Sequence, residues 1–297
     1  MSAGDDAERS DEEERRCVSA GDDAERSDEE ERRRVSFTTR IVITGAGGQV
    51  GSFLAAEAVR QGRDVLALTS SQWDITDPVA ATRIIESGDV VINCAAYTNV
   101  DDAESNESAA YAVNVAGPEH IARACACTGA QLIHLSTDYV FSGEFAGSAP
   151  HPYEPGDDTA PLSVYGRTKL SGELAVLATL PEATVVRTAW VYTGGSGNDF
   201  VAAMRRLASG DGRVHGPVVH AANEGAVTRF QQARAVFEEL KADPRRIRPV
   251  SSHHQRRRAR RPAYSALSGR RSAEAGLSPL RPWRDALAQA LSRALDR

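Results

Sequence analysis

Short apolar runs alternate with helical patterns from about residue 40 onward, and this alternation predicts the strands of a parallel sheet connected by helices. The run at 90–96 is continuously apolar, which is typical of a strand covered on both faces. Further short strand-like runs lie at 41–44, 64–69, 131–136 and 184–192. The pattern therefore predicts an α/β fold.

Residues 1–39 lack this pattern and form an acidic tail with an internal duplication, because segment 2–16 recurs unchanged at 19–33. Neither copy contains a large apolar residue, so neither can bury a core, and we expect a disordered tail. An acidic interaction arm and a duplicated or mis-assigned start are the alternatives. Residues 1–34 hold 14 acidic and 7 basic side chains, so the formal net charge of −6 leaves about +1 for the remainder. That near neutrality argues against nucleic acid as a partner.

The four cysteines show neither metal-ligand nor redox spacing, which predicts no metal site and a reducing compartment. No apolar run approaches the roughly 18 residues that span a bilayer, and the N-terminus has no signal-peptide core. We therefore expect a cytoplasmic protein with no membrane partner.

A glycine-rich turn, Gly-Ala-Gly-Gly-Gln-Val-Gly, directly follows the first apolar run and leads into a helical pattern. Glycine permits a tight turn and lets backbone amides approach a pyrophosphate at the start of the helix. Strand, glycine turn and helix together predict a dinucleotide site. Its residues are Gly45, Gly48, Gln49, Val50 and Gly51.

The second strand ends at Thr69, where an NAD-selective site has a carboxylate for the adenosine ribose. We therefore expect NADPH, with NADH left open. The loop at 74–77 is either an adenine-side loop, through Asp74 and Ile75, or a helix cap. The next buried strand ends in a segment that would lie against the cofactor, namely Ala95, Ala96, Tyr97 and Thr98.

Tyr165 and Lys169 stand four residues apart in a helical pattern, which places both side chains on one face. Thr137 ends the preceding strand and adds a hydroxyl. Such a trio can protonate a carbonyl oxygen while hydride reaches the carbon. Asn114 either orients the lysine or satisfies a polar position inside its helix, and His134 is predicted to be a core histidine.

The glycine turn, the strand ends and the Tyr165–Lys169 pair occur in order within residues 40–208. Together they resemble the extended short-chain dehydrogenase/reductases. The resemblance rests on segments 45–51, 93–104, 136–141, 165–173 and 187–192. It implies a Rossmann-type doubly wound parallel sheet with a smaller, here truncated, C-terminal substrate-binding lobe. The corresponding domains are an NAD(P)-binding domain at 40–190 and a partly interleaved lobe at 191–297.

The resemblance also implies the roles of single residues. The catalytic trio would be Thr137, Tyr165 and Lys169, of which Tyr165 and Lys169 also contact the cofactor. The other cofactor residues would be Gly45, Gly48, Gln49, Val50, Gly51, Asp74, Ile75, Ala95, Ala96 and Tyr97. The sugar nucleotide would contact Thr98, Thr137, Asp138, Tyr139 and Trp190. Trp190 is either a stacking platform or part of the core.

Within that family, the segments resemble the branch that uses NADPH to reduce the C4 ketone of dTDP-4-dehydro-L-rhamnose, a step in cell-wall polysaccharide biosynthesis. The resemblance implies a dTDP-sugar as partner, a monomer or homodimer, and allows a Mg²⁺ ion. Two alternatives stay open: a non-catalytic regulatory subunit with the same fold, and an inactive product of a frame-disturbed gene.

The resemblance is interrupted past residue 208. Residues 209–216 alone separate one helical pattern from the next apolar run, and eight residues cannot supply the strand and helix that relatives have there. We therefore expect a shortened C-terminal lobe. Residues 245–261 hold eight arginines and no acidic residue. Read alone, this tract indicates a phosphate or nucleic-acid patch. The alternative, a reading-frame slip or a drifted loop sequence, is favoured.

Overall fold

The computed structural model describes residues 39–191, 217–251 and 257–295, and the chain from Thr39 onward forms one unit. Almost all of the predicted tail, the shortened segment at 209–216 and Tyr192 lie outside the described residues. The division at residue 190 into a dinucleotide domain and a lobe stays a prediction.

The described strands form one six-stranded sheet in the order β2-β1-β3-β4-β5-β6, and every neighbouring pair is parallel. This topology confirms the predicted doubly wound α/β fold. The order reverses at β1, so the carboxyl ends of β1 and β3 border the crevice in which open α/β sheets bind ligands. The strands are β1 Ile41–Thr44, β2 Val65–Leu68, β3 Val90–Asn93, β4 Gln131–Thr137, β5 Thr184–Thr188 and β6 Val218–His220.

Helices cover both faces of this sheet. Successive strand residues point to opposite faces, and each face contributes to its own apolar cluster. Leu54 and Ala58 of α1 pack on one face, and Ile121 of α5 and Val176 of α6 pack on the other. The helices are α1 Gln49–Arg60, α2 Ala80–Ile84, α3 Val100–Ala103, α4 Glu107–Tyr111, α5 Gly117–Thr128, α6 Val164–Thr179, α7 Arg229–Glu239, α8 Arg270–Glu274 and α9 Trp283–Leu295.

The connection from β4 to α6 carries the predicted catalytic residues. A 3₁₀ turn at Asp138–Val140 follows β4, and a long loop then leads to Ser163. Ser163 caps α6, because its hydroxyl accepts the N–H of Gly166 at 3.1 Å. Tyr153 in the loop pairs with Leu267 near the C-terminus, which anchors the loop to the last part of the chain.

Several arginines of the arginine-rich tract make contacts within the chain. Arg261 forms an ion pair with Asp101 at 2.8 Å, and Arg258 donates to the hydroxyl of Ser105 at 2.9 Å. These contacts tie the segment after residue 257 to α3 and to the turn that follows it. Of the helices that the structure describes, none has the length and apolar character to cross a bilayer.

Candidate active site

The end of β4 and the start of α6 bring Thr137 and Tyr165 together. Thr137 is buried, and its hydroxyl accepts the N–H of Tyr139 and donates to Asp138, both at 3.2 Å. Burial raises the pKa of Tyr165 to about 12, and a hydrogen-bonding interaction with Thr137 opposes the rise. The phenol is therefore protonated at neutral pH, as a general acid must be.

Lys169 lies one turn farther along α6, and its amine is held on β4. Its Nζ donates to the carbonyl oxygen of Leu135 at 2.6 Å and lies 3.4 Å from Nε2 of His134. Burial lowers the pKa of Lys169 to about 8. His134 is fully buried, as predicted for a core histidine, but it also contacts the predicted catalytic lysine, which the sequence did not indicate.

Two glycines let α6 approach its neighbours closely. A Cβ on Gly166 would lie 2.3 Å from the carbonyl oxygen of Tyr139, and a Cβ on Gly172 would lie 2.0 Å from that of Asn114. Both distances are well inside van der Waals contact, so neither position has room for a side chain. Gly166 therefore lets α6 approach the turn after β4, and Gly172 lets it approach the segment that carries Asn114.

A buried ion pair joins Glu173 of α6 to Arg187 of β5, whose side chains are 2% and 5% exposed. Arg187 donates to both carboxylate oxygens, at 3.0 and 2.7 Å, and Ser136 donates to the same carboxylate. The guanidinium also donates to the carbonyl oxygen of Pro155 at 3.2 Å and lies over the ring of Phe141. The pair therefore fixes β4, β5, α6 and the loop before α6 to one another.

The predicted dinucleotide turn has the geometry of a phosphate-binding turn. Gly45 has a φ of +64°, and a Cβ on Gly51 would lie 2.4 Å from the Gly45 oxygen, so both positions require glycine. Gly48 precedes α1 without a side-chain cap, which leaves N–H groups of the first turn for an anion. Gly48 and Gln49 are exposed and Val50 is half-buried, so a pyrophosphate can reach this turn.

The segment that follows β3 borders the crevice opposite this turn. Ala95, Ala96 and Tyr97 are half-buried, and Thr98 is exposed. Asn114 holds the segment through two hydrogen bonds to the backbone of Tyr97. Its Oδ1 accepts the N–H at 2.8 Å, and its Nδ2 donates to the carbonyl oxygen at 3.2 Å. The side chain of Asn114 therefore fixes one wall of the crevice, a role that the sequence did not indicate.

The adenine-side residues are engaged locally. The carboxylate of Asp74 accepts the N–H and hydroxyl of Thr76 at 2.9 and 2.7 Å, which lowers the pKa of Asp74, and the side chain of Ile75 is buried in the core. Contact of these two residues with an adenine stays a prediction. At the end of β2, Thr69 donates to Gln72 at 2.9 Å, so this position is polar and uncharged.

A cleft of about 260 Å³ opens beside Asp138. Trp190 lines the cleft with a φ of +49°, and the guanidinium of Arg229 stacks on its ring at 4.2 Å. Burial raises the pKa of Asp138 to about 6, and hydrogen bonds with Ser265 and Thr137 oppose the rise. Arg229 and Ser265 come from the last third of the chain, and no sequence signal marked them. The residues that line the cleft are Asp138, Tyr139, Trp190, Val191, Arg229 and Gln232.

In the part of the chain that the structure describes, no group of three or more His, Cys, Asp or Glu side chains could hold a metal ion. The Mg²⁺ ion that the resemblance allows therefore has no support among these residues. Cys94, Cys125 and Cys127 are free thiols.

A family model described as the RmlD substrate binding domain matches residues 39–216 and again 212–295 of this chain. The two matches meet inside the segment that the sequence predicts to be shortened. A dTDP-4-dehydrorhamnose reductase of Mycobacterium tuberculosis is 64% identical over 281 residues, covering 85% of this chain and 92% of the relative. The Mycolicibacterium smegmatis protein of the same name is 54% identical over 281 residues, covering 85% of each chain.

Among solved structures, the dTDP-4-dehydrorhamnose reductase of Bacillus anthracis in complex with NADP superposes with a TM-score of 0.76 and 28% sequence identity. The match covers 86% of this chain and 99% of that chain. The corresponding reductase of Clostridium acetobutylicum superposes with a TM-score of 0.74, also at 28% identity, covering 86% of this chain and 100% of that chain.

Proposed function

Because this chain belongs to the RmlD family of dTDP-4-dehydrorhamnose reductases, we propose that it reduces dTDP-4-dehydro-L-rhamnose to dTDP-L-rhamnose. The observation that carries the proposal is the meeting of Thr137 and Tyr165 at the end of β4, next to the cleft at Asp138. A protonated phenol beside a hydroxyl is what the reduction of a ketone requires from the protein. The reaction belongs to nucleotide-sugar biosynthesis.

The chain's own residues fit a nicotinamide dinucleotide at the crevice. The glycine turn at 45–51 and the uncapped start of α1 would hold the pyrophosphate, and the segment 95–97 would form the opposite wall. We propose NADPH because Thr69 stands where a carboxylate would repel a 2′-phosphate. When bound, the cofactor supplies the hydride that reaches C4 of the sugar.

Tyr165 donates the proton. Its phenol gives a proton to the carbonyl oxygen at C4, so hydride and proton together convert the ketone to an alcohol. Thr137 donates a hydrogen bond to the same oxygen as negative charge develops on it. The positive charge of Lys169 favours the phenolate that is left behind on Tyr165.

The cleft would receive the sugar nucleotide. Trp190 and Tyr139 offer flat surfaces to a ring, and Asp138 can hydrogen-bond a sugar hydroxyl. Arg229 also lines the cleft, where its guanidinium would attract the diphosphate. Thr98, which is exposed after β3, is the remaining proposed substrate contact.

Replacing Tyr165 by phenylalanine tests the proposal. We expect Tyr165→Phe to lower kcat by about 10²- to 10⁴-fold, the usual contribution of positioned proton transfer, while NADPH binding followed by fluorescence is retained. Tyr111→Phe is the matched control, because Tyr111 is 53% exposed on α4. Full turnover of the keto-sugar nucleotide by Tyr165→Phe would show that another group supplies the proton.

The same two measurements on the unmodified chain separate the alternatives. A reductase binds NADPH and consumes it with the keto-sugar nucleotide. A regulatory subunit binds NADPH without turnover, and an inactive product of a disturbed gene does neither.

A further inference from the structure

A row of three buried polar residues crosses the sheet beneath the crevice: Thr44 on β1, Asn93 on β3 and His134 on β4. Thr44 is the cross-strand partner of Asn93, and Asn93 is the partner of His134, so the three side chains lie on one face of the sheet. Each is at most 1% exposed. Buried polar groups are costly unless they are hydrogen-bonded, and the reaction described above uses none of these three.

The backbone N–H of Ala95 fixes the direction of the hydrogen bonds in this row. It can only donate, and it donates to Oδ1 of Asn93 at 3.1 Å and to the hydroxyl of Thr44 at 3.2 Å. The Thr44 hydroxyl in turn donates to Oδ1 of Asn93 at 2.7 Å. The Asn93 atom that faces these donors is therefore oxygen, so its Nδ2 faces Nδ1 of His134, at 3.0 Å.

This direction determines the tautomer of His134. An amide nitrogen can only donate, so Nδ1 of His134 accepts. Burial and the nearby charge of Lys169 hold the pKa of His134 well below its usual value, so the ring is neutral. A neutral imidazole that accepts at Nδ1 carries its proton on Nε2, and Nε2 lies 3.4 Å from Nζ of Lys169.

We propose that His134 is a positioning residue for Lys169: the row Thr44–Asn93–His134 directs the imidazole Nε2–H at the lysine amine and so sets the protonation of that amine. The proposal rests on the proposed function, in which Lys169 supports the Tyr165 phenolate. A neutral amine has a lone pair that accepts this N–H, whereas an ammonium has none. The row therefore favours release of the lysine proton.

Burial acts on Lys169 in the same direction as the row. The carbonyl oxygen of Leu135 accepts from Nζ in either protonation state and does not discriminate between them. Burial lowers the pKa of Lys169 from 10.5 to about 8, so the amine titrates near pH 8. Above that pH the amine no longer supports the phenolate of Tyr165.

Among the described residues, Cys94 after β3 and Glu173 on α6 are the other groups whose charge acts on Lys169. Burial raises the pKa of Cys94 to about 12, so it is a neutral thiol at the working pH. Glu173 is bound by Arg187 through two hydrogen bonds to its carboxylate oxygens. Neither group depends on the tautomer of His134, so a variant that changes the tautomer leaves the influence of both groups on Lys169 unchanged.

The lysine content of the chain allows a direct measurement. Lys169 and the exposed Lys241 are its two lysines, so isotope-labelled lysine in a Lys241→Arg background gives a single side-chain resonance. Its titration by NMR in the cofactor-free protein reports the pKa of Lys169 without turnover. Asn93→Asp replaces the donor to Nδ1 of His134 by an acceptor, which moves the ring proton to Nδ1 and leaves Nε2 to accept from the ammonium.

We expect Asn93→Asp to raise the pKa of Lys169 from about 8 to about 9 or 10, the size of one charge-assisted hydrogen bond. In a His134→Leu background the carboxylate of Asn93→Asp has no imidazole whose tautomer it can change, so the rise in the pKa of Lys169 should be smaller. An equal shift in both backgrounds would mean that only the added charge acts, and would overturn the proposal.

The ring nitrogens of the wild-type protein give a second test that requires no altered fold. Imidazole ¹⁵N chemical shifts, with the His134 signals assigned by their loss in His134→Leu, should show a neutral ring with the proton on Nε2. A proton on Nδ1, or a charged ring at neutral pH, overturns the proposal. Neither measurement uses turnover. A failure of this proposal can therefore be told apart from a failure of the proposed function, which would appear as retained activity in Tyr165→Phe.

Discussion

Removing one partner of the buried pair between Glu173 and Arg187 should destabilise the protein strongly. In Glu173→Leu, the guanidinium of Arg187 keeps the Pro155 oxygen and the Phe141 ring as contacts but loses both carboxylate bonds. The hydroxyl of Ser136 loses its acceptor as well. Breaking a buried pair from one side costs about 3–5 kcal/mol, because an uncompensated charge stays buried.

The double variant Glu173→Leu/Arg187→Met distinguishes the charge from the packing. It removes both charges and keeps apolar volume, so we expect it to cost less than either single variant. Arg123→Met is the control, since Arg123 pairs with Glu119 on the surface and its side chain is 67% exposed. That pair should contribute less than about 1 kcal/mol.

Urea-induced unfolding followed by circular dichroism gives the free energy of unfolding of each variant. In thermal unfolding, each kcal/mol corresponds to about 2–4 °C for a domain of this size, so the single variants should melt about 6–20 °C lower. Single variants that each cost under about 1 kcal/mol, or a double variant whose cost is the sum of both, would refute the reasoning.

Two further predictions concern the same region. Gly172→Ala places a Cβ 2.0 Å from the backbone oxygen of Asn114, so we expect a loss of about 3 kcal/mol or more in unfolding free energy. The control Gly269→Ala has open space around it and should change the unfolding free energy little. Equal effects of the two variants would contradict the close approach of α6. Burial raises the folded-state pKa of Asp138 from 3.8 to about 6, so the stability that protonated Asp138 contributes is present below about pH 4 and lost as pH rises through 6. Relative to Asp138→Asn, the wild-type protein should therefore lose about 2 kcal/mol between pH 4 and pH 7, and parallel pH profiles of unfolding free energy would contradict this.

Local patterns predicted most of the fold. The strand at 41–44 has the bounds that its β-branched run indicates, because strand, glycine turn and helix are contiguous in the sequence. The apolar run at 90–96 predicted a longer strand than β3, which ends at Asn93. After Asn93 the backbone leaves the sheet, and the N–H of Ala95 donates to the side chains of Asn93 and Thr44 instead of to a backbone carbonyl of a neighbouring strand.

The site was predictable only where its residues are close in sequence or follow the strands of the sheet. The spacing of Tyr165 and Lys169 placed both on one face of α6, but not the contact of Lys169 with His134, which lies 35 positions earlier in the chain. Arg229 reaches Trp190 through the tertiary fold, and a single arginine in a helical pattern carries no signal of that contact.

The contact between Ser265 and Asp138 spans 127 positions of the chain, and the bridge from Tyr153 to Leu267 spans a similar distance. A ribosome therefore releases the described strands and α6 well before it makes Ser265, the residue that holds the Asp138 carboxylate beside the cleft. During synthesis Thr137 and Tyr165 would therefore be made before Asp138 gains its Ser265 partner and before the loop at Tyr153 gains its anchor at Leu267, so the neighbourhood of the cleft is completed last.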